Sequence, residues 1–239
     1  MTKLGSLTLV LLHHRTLFDD AVREKVFNNV MDVLNEAYLA IHKKYGIIPG
    51  PRYEYVSQMM GEFKCKSDTE KHRFTIGVLI GCDIPGEGDI IELKGRKIKI
   101  LSDEQSPEAV NGVISQLEAL PAIGAASLKP YRHKHVGYSD EEVCELGTFG
   151  ISPKYTGGGY GSILFDLIEQ HAKDRGIKKV YMTVIREHEL EPLYQKKGYS
   201  TFETEVITAK KDDDKDSRNL HSTVANRDFT CAFMEKVLC

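Results

Sequence analysis

Residues 155–176 read YTGGGYGSILFDLIEQHAKDRG, with four glycines in five positions (157, 158, 159 and 161) directly before an amphipathic run. Glycine lets successive backbone amides turn inward together, because no side chain blocks the approach. A row of such amides leading into a helix N-terminus attracts phosphate oxygens. Leu164, Leu167, Ile168 and Ala172 fall on one helical face, and Gly176 supplies a stop. The stretch therefore predicts a phosphate-binding loop opening a helix that packs on a sheet.

Three phosphate motifs compete for it. A P-loop needs Gly-Lys-Ser/Thr, which the chain lacks. The dinucleotide fingerprint GxGxxG/A runs Gly157, Gly159 and then Ser162, so its third small position is a serine. The third motif, [Q/R]xxGx[G/A], is the loop that holds the diphosphate of coenzyme A.

Outward from the loop, 143–151 (VCELGTFGI) reads as a strand halted by Ser152-Pro153, and 178–185 (KKVYMTVI) as the next strand. A short helix within ELEPLYQKKGY ends at Gly198, and STFETEVIT and RDFTCAFMEKVL close as strands. Upstream, LTLVLL (7–12) predicts a first buried strand. Val30, Val33, Leu34, Ala37, Tyr38 and Ile41 predict a helix stopping near Gly46. Strands are expected over 72–81 and 122–128. Between them lie a hairpin around Gly95 and a helix over 106–120, with Ser106 as cap and Pro107 at its first position. The run 209–219 (AKKDDDKDSRN) reads as a solvated loop. This mixed order predicts one α+β domain over 1–239, with a mostly antiparallel central sheet flanked by helices.

Composition narrows the classes. The 239 residues are 41% hydrophobic and 28% charged, with a net charge of −3, so no basic field for nucleic acid is present. The longest early apolar run is too short to span a membrane, for which roughly 20 residues are needed. It also lacks a signal-peptide cleavage pattern. The five cysteines are scattered, odd in number and without CxxC spacing. Free thiols in a reducing cytoplasm are the expectation, with no metal.

The segment 143–199 resembles the GNAT superfamily of acetyl-CoA-dependent N-acetyltransferases. ISPKY, TGGGYG, VYMTVI and YQKKGY follow one another in that family's order and spacing. Two positions depart from it. Thr156 stands where the family usually has glutamine or arginine, and Glu187 where many members have asparagine. Residues 81–121 exceed the common core and are expected to be an insertion.

The resemblance implies acetyl-CoA as co-substrate, direct transfer to a primary amine, and a small amine or amino acid as acceptor rather than protein. A homodimer is left open. It assigns the coenzyme to Phe149, Gly150, Ile151, Thr156, Gly157, Gly158, Gly159, Tyr160, Gly161, Ser162 and Glu187. Backbone groups of 149–151 are expected to pair with the pantetheine arm. An alkyl ammonium has a pKa near 10.4, so freeing the amine at pH 7 costs about 4–5 kcal/mol and a base helps. Glu145 is the candidate base and Tyr194 the candidate acid toward the leaving thiolate. His188 is an alternative base. Tyr45, Tyr53 and Tyr55 are candidate walls of the acceptor pocket. Cys144 alternates with Glu145, so the two face opposite ways. His133 and His135 lack a third ligand nearby and read as loop histidines. Two other functions remain open: a coenzyme-binding module without turnover, and a nucleotide-cofactor oxidoreductase resting on the imperfect glycine pattern.

Overall fold

The computed structural model describes residues 4–64, 67–209 and 225–238. Cys65, Cys239 and all of the charged run beyond Ala209 lie outside them. Among the described residues nine strands form one sheet. They are β1 Ser6–His13, β2 Thr75–Ile80, β3 Asp89–Leu93, β4 Arg96–Ser102, β5 Ala122–Pro130, β6 Val143–Ile151, β7 Lys179–Ile185, β8 Ser200–Ile207 and β9 Phe229–Val237. Their order is β3-β4-β1-β2-β5-β6-β7-β9-β8. Only β1–β4 and β6–β7 pair in parallel, and the other neighbours are antiparallel. A doubly wound parallel sheet, which the dinucleotide reading requires, is therefore excluded.

Helices cover both faces. On one side lie α1 His14–Leu17, α2 Arg23–Tyr45, α3 Val56–Glu62 and α5 Pro107–Gln116; on the other lie α6 Tyr160–Asp174 and α7 Glu191–Lys196; α4 is Asp68–Lys71. Helix α2 buries Val26, Phe27, Val30, Val33, Leu34 and Ala37 as its apolar spacing requires. It ends where Gly46, at φ 67°, gives its N–H to the His42 carbonyl. Helix α6 lies so close to β2 that a methyl group on Gly77 would stand 2.4 Å from Ile168. Gly77 thus sets how deeply α6 seats.

Short helices α1, α3 and α4 have too few turns for a sequence period to show. One expected cap is corrected. Ser106 precedes α5, but its hydroxyl donates to the Glu87 carbonyl (2.7 Å) and makes no cap bond. Residues 89–116 do form the expected hairpin and helix, and β4 joins the sheet beside β1.

Candidate active site

Strands β6 and β7 pair only through Val143–Lys179, Cys144–Val180 and Glu145–Tyr181. Beyond that point β6 stays with β5, and β7 with β9. Two parallel strands that part in this way leave facing edges of backbone groups across a wedge-shaped notch, whose apex is Glu145–Tyr181.

An extra residue in β6 shapes one wall. Ser127 pairs with Gly147 and Ala125 with Gly150, so β6 takes three steps where β5 takes two. Thr148 carries the resulting bulge at φ 49°, a conformation β-branched residues rarely adopt. Its hydroxyl is fixed to that of Ser127. The bulge reverses the alternation. Cys144 and Leu146 pack toward α6, and Phe149 and Ile151 do so as well, although an unbroken strand would turn them the other way. The expected opposition of Cys144 and Glu145 is observed: the thiol is buried, and burial pushes its pKa well above the usual range.

The glycine loop follows. Gly157 and Gly159 both take φ 77°, and a side chain on Gly159 would meet nothing within 4 Å. The loop is therefore left-handed at Gly157 and Gly159, and open at Gly159. Its side chains are engaged elsewhere. Thr156 donates to the Pro153 carbonyl (2.9 Å), and the buried Tyr160 hydroxyl accepts from Leu4 N–H (3.3 Å) and Arg96 Nη1 (3.0 Å). Lys94 holds the Ser162 hydroxyl. What the loop offers a ligand is backbone. Gly158 and Gly161 are half-buried there, and a Cβ on Gly161 would touch Ile151 at 3.4 Å.

Glu145 is held by ions. Its Oε1 lies 3.2 Å from Lys129 Nζ, which also reaches Glu62 Oε2 at 3.3 Å. Arg52 Nη2 donates to Glu62 Oε1 (2.8 Å), with its guanidinium over Tyr38 and Tyr53. Burial works against the Lys129 cation, yet Glu145 and Glu62 outweigh it and raise its pKa. Lys129, Glu62 and Arg52 carried no local signal in the sequence. The β5–β6 register sets Lys129 opposite Glu145, and the packing of α3 and the loop before it brings Glu62 and Arg52 to Lys129.

Tyr194 sits buried in α7 with its ring 5.6 Å from that of Phe165, which meets Phe149 at 5.7 Å. This aromatic chain ties α7 to the notch wall. Burial, with Tyr38 nearby, raises the phenol's pKa. Glu145 and Tyr194 share no hydrogen bond among the described residues. Glu187 closes the far end of β7: both its oxygens accept the Thr230 N–H (2.9 and 3.0 Å). Burial opposes that carboxylate, but the Thr230 bonds hold its pKa below the usual value. His188 is buried 5.3 Å from the Tyr45 ring, and burial lowers its pKa. Tyr53 is buried and Tyr55 is 64% exposed, so the three tyrosines do not share one wall. His135 bonds the His133 carbonyl and Asp140, as a loop histidine does. Among the described residues no group of three or more His, Cys, Asp or Glu is placed to hold a metal, and no helix is long and apolar enough to cross a membrane.

The chain is similar to solved structures, one of which shares this architecture. A protein provisionally described as a phosphinothricin N-acetyltransferase is 13% identical and superposes with a TM-score of 0.53, covering 98% of this chain and 99% of its own. The ribosomal-protein-alanine N-acetyltransferase of Brucella melitensis is 14% identical, with a TM-score of 0.49 over 90% of this chain and 96% of its own. An N-acetyltransferase of Staphylococcus aureus Mu50 is 15% identical, with a TM-score of 0.49 over 90% and 94%. At 13% identity the first of these likenesses is one of fold alone, a GNAT-like acetyltransferase fold. No curated protein matches the chain by sequence. The model of one family, sporulation protein RMD6, matches residues 1–238, and the chain belongs to that family.

Proposed function

We propose that the protein is an N-acetyltransferase that moves the acetyl group of acetyl-CoA directly to a primary amine, a small amine or amino acid rather than a protein. The observation that carries this reading is the notch between β6 and β7, opening beside an unobstructed glycine loop. The two features suit the two ends of one long thioester. Amides of Gly157–Ser162 receive the diphosphate, and the free edge of Phe149–Ile151 receives the pantetheine arm. Acetyl-CoA supplies an activated acyl group when bound.

The remaining chemistry belongs to the chain. Glu145, at the notch apex, accepts the proton the amine must lose, directly or through water. An amide of the β6 edge polarises the carbonyl. Tyr194 keeps its proton at neutral pH and gives it, or a hydrogen bond, to the leaving sulfur. Glu187 contributes by fixing the end of β7. The whole chain acts as one domain, with 81–121 as an addition to the common core.

A second reading has one observation in its favour. The Glu145–Lys129 ion pair occupies the proposed base, which suits a coenzyme-binding module without turnover. One experiment separates the two: acetyl-CoA with a panel of amino acids, polyamines, aminosugars and peptides, read by thiol release. Acceptor-dependent release supports the transferase. Coenzyme retained in native mass spectra with no release from any acceptor supports the module. Failure to bind coenzyme at all sinks both.

A further inference from the structure

The hairpin β3–β4 ends on the glycine loop. Its turn is Lys94-Gly95, both left-handed at φ 55° and 69°, a tight two-residue connection that fixes the direction of the turn. Lys94 Nζ reaches across to α6, where it bonds the Ser162 hydroxyl and lies 2.6 Å from Asp166 Oδ2. Arg96, two residues on, lies 4.5 Å over the Tyr160 ring and donates to the Gly158 carbonyl (3.1 Å), the Tyr160 hydroxyl and the Leu4 carbonyl. The added hairpin is thus built into the loop from outside.

The charges around this junction do not cancel. Lys94 and Lys197 share Asp166, the one carboxylate among the described residues that bonds either, and Arg96, two residues from Lys94, bonds no carboxylate among them. Two positive charges are left over, in a chain whose net charge is −3. Donors are left over too. An ammonium has three N–H groups, and Lys94 uses two, on Ser162 and Asp166. A guanidinium has five, and Arg96 uses three. Lys94 is 41% exposed, so its spare donor is reachable. Surplus cationic donors beside a loop shaped for a diphosphate call for a further anion on the same ligand.

We infer that Lys94 binds the ribose 3′-phosphate of the coenzyme, with Arg96 holding the glycine loop in place, so that the β3–β4 hairpin makes the protein select CoA over dephospho-CoA. This rests on the coenzyme reading above. Asp166 and Ser162 hold the Lys94 ammonium in position, so the phosphate meets a pre-set donor and little side-chain freedom is lost on binding.

Calorimetric titration of the whole protein with CoA and with dephospho-CoA tests the inference. The wild type is expected to bind CoA about tenfold or more tightly, with a preference that shrinks as salt rises. Lys94→Ala is expected to lose that preference by weakening CoA alone and leaving dephospho-CoA unchanged. Equal affinity for the two ligands in the wild type overturns the inference without any variant. So does a Lys94→Ala protein that loses both equally, and Lys94→Gln repeats the comparison if the alanine variant is unstable. If CoA binds and Gly159→Asp abolishes it while no preference exists, the coenzyme reading stands and the Lys94 assignment falls. If neither ligand binds, both fall.

Discussion

Lys129 Nζ lies 3.2 Å from Glu145 Oε1 across the β5–β6 ladder, and the same ammonium reaches Glu62 on the other side. One cation therefore serves two carboxylates next to the notch apex. Removing it leaves Glu145 and Glu62 without the cation they share. Lys129→Met is expected to cost about 1–3 kcal/mol of stability in urea unfolding. The Lys129 pKa is raised in the fold, so its contribution is complete below about pH 10.5 and fades only above it. An unchanged unfolding free energy in the variant would show that the shared cation adds nothing to the fold.

Glu145→Gln keeps the shape and removes the base. Turnover at pH 7 is expected to fall about 10²–10⁴-fold, with partial recovery at high pH, where more acceptor is already neutral. Steady-state kinetics across pH 6–10 check this. Near-normal turnover at pH 7 would transfer the role to His188 or to water.

Tyr194→Phe keeps the ring that packs on Phe165. Folding and acetyl-CoA affinity are expected to hold, while turnover drops roughly 10–100-fold, about 1.4–2.7 kcal/mol of transition-state stabilisation. Burial raises this phenol's pKa, so no loss of activity from its ionisation is expected below pH 10. A thioester with a more acidic thiol should narrow the gap between variant and wild type. Equal rates with every donor would leave Tyr194 a packing residue.

Gly159→Asp puts a carboxylate on the open loop. Space is free there, so the variant is expected to fold, with a backbone cost of about 1 kcal/mol for leaving glycine at φ 77°. Acetyl-CoA affinity is expected to fall tenfold or more, because the new charge meets the diphosphate. Gly161→Asp should act the same way. Unchanged affinity in a folded variant dismisses the loop as the binding site.

Far from the notch, His13 joins Asp103 (2.6 Å) and His171 (3.2 Å) in a line of polar groups. Burial, with His13 and Arg175 adding to it, lowers the His171 pKa to about 3. A histidine depressed in the fold destabilises it on acidification: its neutral form is free of penalty above about pH 6.5 and costs stability from there down to about pH 3. Unfolding free energy is expected to drop between those limits by at most about 1.4 kcal/mol per pH unit. His171→Leu should flatten the slope. An equally steep slope in that variant would place the acid sensitivity elsewhere.

The sequence alone determined what depends on near neighbours. The α2 period, the Gly46 and Gly176 stops, the Lys94-Gly95 turn and the left-handed Gly157 and Gly159 are local steric facts, so each could be read before any fold was known. The order of elements around ISPKY, TGGGYG and YQKKGY was enough to expect a mostly antiparallel sheet with the loop at one strand end. Tertiary structure decided the rest. No run of residues announces that β6 and β7 part after Glu145, because parting depends on which strands each keeps as partners. The Thr148 bulge is visible only against β5, and it alone turns Phe149 toward α6. Lys129 is 16 residues from Glu145, and Arg96 is 62 from Gly158. Ion pairs and hydrogen bonds act over about 3 Å in space with no regard for separation along the chain, so these neighbours of the site appear only when the sheet brings them together.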